Sequence, residues 1–209
     1  MVFNFANEEL GFDVRYKKAL RPPAAKELRK ANNIETLFTA EEVRLVRDNA
    51  SPQLKAMILL GINCGFGNAD CGLLPLSALD LENGWHKFPR PKTEMPRRCP
   101  LWPETVEALQ EVVNGRDSGP VFVTKYGNPW WSEAKKAPIS YEFRKLVTKL
   151  GFYEQYVTTF YSLRRTFERI AGAADVNQAM IDCIMGHPAH VSDIAAVYRQ
   201  RVFNDRLKN

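Results

Sequence analysis

No stretch of the sequence approaches the roughly 20 apolar residues of a membrane span, and its first residues lack the apolar core of a signal peptide. Both absences point to a soluble, cytoplasmic protein with no membrane partner. Cysteine and histidine are scarce as well. The four cysteines, Cys64, Cys71, Cys99 and Cys183, form no CxxC pair, and there are only three histidines. That pattern excludes a disulfide framework and the common zinc signatures, so the expectation is reduced core thiols rather than a disulfide frame or zinc site. Acidic residues fall short of basic ones, 24 against 29, which leaves a net charge of +5 and favours an acidic partner such as nucleic acid. What is plentiful is apolar: 45% hydrophobic residues in 209 suffice for one good core with room for an appended arm.

The arm is residues 1–34. Its segment RYKKALRPPAAKELRK holds seven basic residues, one acid and a Pro-Pro pair, the composition of an extended basic linker with little core of its own. It reads equally as a solvated tail or as an arm that tracks phosphates through Lys17, Lys18 and Arg21. Residues 35–209 read as one domain, mixed but mainly α.

Helix punctuation is regular from Thr39 onward. Thr39 with Glu42 makes a capping box, and Ser51-Pro52 supplies an N-cap and a first-turn proline ahead of LKAMILLGI. Asn83-Gly84 is a strong turn signal between short strands at 79–81 and 85–88, with a third at 97–101, predicting a small antiparallel sheet. RPKT, residues 90–93, falls in one of its turns. Trp102-Pro103 opens a helix to about 113, VFVT at 121–124 is a short strand or extended piece, and Ser140 caps a helix to Leu150 that Gly151 closes.

The last sixty residues hold the unusual chemistry. YSLRRTF, residues 161–167, places Arg164 and Arg165 near the start of a helix, where cations are disfavoured by the dipole. Either they lie on a solvated face, with Glu168 as a partner, or they hold an anion. Asp175 and Gln178 suggest a capping box for the next helix, Gly186 ends it, and His187 follows immediately. Ser192 or Asp193 can cap a final helix, in which Ile194, Val197, Tyr198 and Arg201 share a face. His187 and His190 could be read as ligands of a metal nuclease, but two histidines without carboxylate or cysteine company make a poor site.

The order YSLRRTF, IMGH and a tyrosine in a last amphipathic helix resembles the catalytic domain of tyrosine recombinases, the phage integrase family. The corresponding family segments read approximately H-x-L-R-H-T-F, L-G-H and a terminal-helix Tyr. FTAEEV resembles the family's domain opening, LLGINCGFGNADCGLLPLSALDL its first box and RPKT its β-turn lysine motif, so the likeness spans about residues 37–202. The resemblance implies the tyrosine-recombinase catalytic fold with a small antiparallel sheet, without the N-terminal core-binding domain of such integrases. It also implies site-specific DNA breakage and rejoining, with double-stranded DNA as partner, self-association on DNA, and neither a cofactor nor a small-molecule substrate.

Residue by residue, the resemblance makes Tyr198 the nucleophile, Arg164 a phosphate clamp, Lys92 the general acid for the 5′-oxygen and His187 a hydrogen-bond donor to phosphate. Arg90, Arg97 and Arg98 form a basic cluster for DNA, while Arg165 either adds a phosphate contact or pairs with Glu168. Three positions depart from the family pattern. Gly67 stands where the first box has its clamp arginine, although Asp70 keeps the acidic position. Tyr161 replaces the histidine of the second box and cannot carry a positive charge near neutral pH. His187 and Tyr198 are 11 residues apart, about two more than the family pattern. Loss of one preorganised donor typically costs about 3–4 kcal/mol of transition-state stabilisation, so the first departure weakens catalysis or leaves a silent DNA-binding module.

Overall fold

The chain divides after Glu35, and the computed structural model describes residues 37–131, 138–152, 158–174 and 176–187, all in the second unit. The basic arm, Lys17, Lys18 and Arg21, as well as His190 and the terminal helix with Tyr198, lie outside the described residues.

Helix α1, Ala40–Asp48, begins with the expected capping box: Glu42 N donates to Thr39 Oγ1 at 3.2 Å and Thr39 N to Glu42 Oε2 at 2.8 Å. Helix α2, Pro52–Cys64, is apolar on every side and therefore runs through the core, buried from Leu54 almost continuously to Cys64. Ser51 precedes it but makes no side-chain cap, so the start rests on Pro52 alone. The short α3, Asn68–Leu73, and a 3₁₀ turn at Leu76–Ala78 lead into the sheet.

Strands β1 (Leu79–Asp80), β2 (Trp85–Lys87) and β3 (Arg98–Pro100) form an antiparallel sheet in that order, with His86 paired to Leu79 on one side and Cys99 on the other. The β1–β2 turn closes because Gly84 takes φ +67° and Asp80 accepts from the Asn83 backbone and side chain. Helix α4, Pro103–Val113, packs on α2. Between them, Asn63 is buried with its amide satisfied: Oδ1 accepts from Trp102 N and Thr105 Oγ1, and Nδ2 donates to Pro100 O.

Helices α5 (Pro138–Lys149), α6 (Phe160–Ala173) and α7 (Gln178–Met185) complete the described fold. At Gly61 an added Cβ would stand 3.1 Å from Leu163 Cβ, so glycine is what lets α2 and α6 approach. No described helix is long and apolar enough to cross a membrane.

Two local expectations need correction. Ser140 does not cap α5; it is the third residue of that helix, and its hydroxyl accepts from Asn68 Nδ2 at 2.6 Å. The N-cap of α7 is Asn177, whose side chain accepts from Ala179 N, and Gln178 is the first helical residue. Residues 121–124 are the extended piece rather than a strand, with isolated bridges at Val123 and the preceding Pro120, because their partners Pro129 and Pro75 cannot extend a ladder. Among the cysteines, all four are free thiols; Cys64, Cys71 and Cys99 are buried, while Cys183 is only half-buried.

Candidate active site

Helix α6 places Arg164 in its second turn and buries it, at 1% exposure, against two distant segments. One Nη1–H donates to Gly65 O at the C-cap of α2, and Nη2 donates to Met185 O at 2.9 Å. Nη2 also faces His187 Nε2 at 3.0 Å. A guanidinium has only donors, so Nε2 is the acceptor and the histidine proton sits on Nδ1. That proton points to Asp182 Oδ1 at 3.3 Å, a carboxylate that fixes the tautomer. Burial lowers the Arg164 pKa, nearby Arg90 adds to the lowering, and Asp70 opposes it.

The solvated-face reading of Arg164 thus fails: Glu168 is exposed, whereas Arg164 is spent on the ends of α2 and α7. Arg165 is half-buried with its guanidinium 5.6 Å above the Tyr161 ring. Tyr161 itself is 44% exposed and lies beside Gly67, its ring carbons 3.7 and 3.9 Å from where a Gly67 Cβ would stand.

The β2–β3 turn reaches the same place. Lys92 is exposed near its tip, and Thr93 Oγ1 donates to Gly186 O at 3.0 Å. Gly186, at φ +64°, also receives the Arg90 side chain, whose Cβ would be 2.8 Å from an added Cβ. RPKT and IMGH are therefore in direct contact.

Arg97 corrects the expectation of a surface cluster. Its side chain is fully buried: Nη2 pairs with Asp70 Oδ1 at 2.9 Å, Nε donates to Phe88 O, and the guanidinium stacks 4.1 Å above the Phe66 ring. Asp70 Oδ2 in turn accepts from Gly67 N at 2.6 Å. Arg97 Nη1 and Arg164 Nε are buried and without a partner among the described residues. Arg98 is half-buried and stacks 3.9 Å above Trp85.

Asp182 and Thr93 were not singled out by sequence reasoning. Their signals were slight: a carboxylate five residues before His187, and a hydroxyl inside RPKT.

The sequence model of the phage integrase family matches residues 28–204. The chain belongs to the phage integrase family. Its fold is that of the tyrosine-recombinase catalytic domain. XerA recombinase superposes with a TM-score of 0.62 at 18% identity, over 97% of this chain and 80% of that one. The Tn1549 transposon integrase in complex with transposon right end DNA gives 0.63 at 18%, over 91% and 70%. A lambda integrase dimer bound to a COC' core site gives 0.61 at 16%, over 99% of this chain and 57% of that protein. No curated protein matches the chain. Within the phage integrase fold, Arg164, His187 and the RPKT turn converge, whereas Arg97 lies inside, and His187, accepting at Nε2 and donating at Nδ1, has no N–H left for the phosphate it was expected to meet.

Proposed function

We propose that the chain breaks and rejoins DNA at specific sites through a covalent phosphotyrosyl intermediate. One observation carries this reading: the Arg164 guanidinium binds Gly65 O of the first box, and Met185 O and His187 of the third, in one buried cluster. Such a fixed cationic cluster suits a phosphoryl group whose nonbridging oxygens gain charge. Tyr198 Oη forms a bond to phosphorus as the bond to the 5′-oxygen breaks. Lys92 protonates that oxygen, and the reverse steps reseal the strand. Trapping an adduct on a nicked suicide duplex tests the reading, and binding without adduct would leave a silent DNA-binding module.

The partner is double-stranded DNA, with Arg90, Arg98 and Arg165 of the domain and Lys17, Lys18 and Arg21 of the arm meeting phosphates. Self-association on DNA is part of the proposal, supported by the dimer and the Holliday-junction tetramer of lambda integrase. A metal nuclease is disfavoured, because a guanidinium occupies one side of the His187 ring and Asp182 the other.

Arg97 takes the place of the missing clamp in this proposal. Gly67 has φ −106°, a conformation open to any residue, yet the acid at position 70 is already paired with Arg97. Arg97→Met is expected to lower the rate of adduct formation by about 10² to 10³. Gly67→Arg alone brings no gain but recovers part of the loss when combined with Arg97→Met. A large gain from Gly67→Arg in the otherwise native chain would instead mean a decayed site. The measurement is single-turnover adduct formation on the suicide duplex.

Lys92 has its own test. If it is the general acid, Lys92→Ala is slow on ordinary DNA but recovers on a substrate with sulfur at the 5′-bridging position, a leaving group that needs no proton. Equal defects on both substrates would reduce Lys92 to a phosphate contact.

A further inference from the structure

Directly behind the Gly65 carbonyl that holds Arg164, three side chains meet that no step above uses. Cys64 is the last residue of α2, and His86 and Cys99 are cross-strand partners in β2 and β3. All three are buried, with exposures of 0%, 0% and 2%. Their ligand atoms all lie within 4.8 Å of one another. Around a zinc ion with ligand bonds of about 2.0–2.3 Å, donor atoms stand roughly 3.5–4 Å apart, so an ångström or less of adjustment closes the set.

The imidazole supplies the independent sign of a ligand. Neither ring nitrogen of His86 has a hydrogen-bond partner among the described residues, although the ring is fully buried with its face or edge against Phe66 at 4.9 Å between centroids. A buried polar atom left unpaired costs about 1–3 kcal/mol, and a coordinate bond at one nitrogen removes one such cost. Phenylalanine would fill the same space without it.

We infer that Cys64, His86 and Cys99 bind a Zn²⁺ ion that fastens the end of α2 to the β2–β3 hairpin. Soft thiolates with an imidazole suit zinc, and the charges favour it over copper. Two thiolates and Zn²⁺ sum to zero, the tolerable total in a dry interior, whereas Cu(I) would leave a net negative charge. Binding releases the two thiol protons to solvent. The carbonyl oxygens of Asn63 and Pro100, 3.8 and 3.3 Å from Cys99 Sγ, are the polar atoms at hand for a fourth ligand. The sequence hides this site because its ligands are 22 and 13 residues apart, with no CxxC pair.

The test needs no DNA. The full chain, prepared without a metal-binding tag, is stripped of metal under reducing conditions and titrated with Co²⁺ and then Zn²⁺. Expected are thiolate-to-cobalt charge-transfer bands with the intense visible bands of a four-coordinate ion, saturating at one equivalent and bleached by Zn²⁺. Cys183→Ser retains the bands, and Cys64→Ser and Cys99→Ser each lose the charge-transfer contribution of one thiolate. Absence of cobalt bands in the native chain overturns the inference without reliance on any variant. Bands that survive Cys64→Ser and Cys99→Ser together, or uptake of copper in place of zinc, overturn it too.

Discussion

Tyr198→Phe is expected to abolish the covalent protein–DNA adduct completely while duplex binding persists. The substitution removes one oxygen, the only atom of the side chain that can bond to phosphorus, and leaves the ring unchanged. Phosphate contacts by arginine and lysine do not depend on that oxygen, so the salt-dependent affinity remains. A suicide duplex resolved on a denaturing gel, beside a binding titration at two salt concentrations, separates the two functions. An adduct that persists would move the nucleophile elsewhere. Tyr161 would come first, since its hydroxyl-bearing ring is exposed beside Gly67.

Asp70→Ala is expected to be among the most destabilising single changes in the domain. It leaves the Arg97 guanidinium, with no exposed side-chain surface, facing only Phe88 O and the Phe66 ring. Breaking a buried ion pair from one side typically costs about 3–5 kcal/mol, which for a domain of this size lowers Tm by roughly 10 °C. Asp70→Leu combined with Arg97→Met is expected to recover most of that loss, because an apolar pair of similar volume needs no compensating charge. Thermal and urea unfolding of the single and double variants measure both effects. A loss below about 1 kcal/mol for Asp70→Ala would mean that the pair is solvated in solution.

The elements carried by strong local chemistry were legible. Thr39-Glu42, Asn83-Gly84, Trp102-Pro103 and Gly186 each specify backbone geometry within a few residues, and each appears in the structure as expected. Boundaries carried by a lone serine or acid were less legible. Ser140 had a distant competitor, Asn68, and the cap of α7 fell to Asn177 rather than to the acid before it. The family resemblance pointed to Arg164 and His187, which the structure brings together, but not to what holds them. The acceptors of Arg164 are backbone carbonyls, which leave no trace in residue identity. Arg97 misled for a related reason. Its partner, 27 residues away, was noticed only as a motif position, and next to Arg98 it looked like surface charge.

Gly186 makes the lysine and histidine arms of the site a single mechanical part. Its carbonyl is tied to Thr93, its α-carbon is pressed against Arg90, and His187 is the next residue. A displacement of the β2–β3 turn that carries Lys92 toward a bound strand would pull on the end of α7 and drag the imidazole with it. The backbone that carries the lysine and the backbone that carries the histidine are thus neighbours through Thr93, Arg90 and Gly186, so a change in the turn's length or shape is felt at the end of α7.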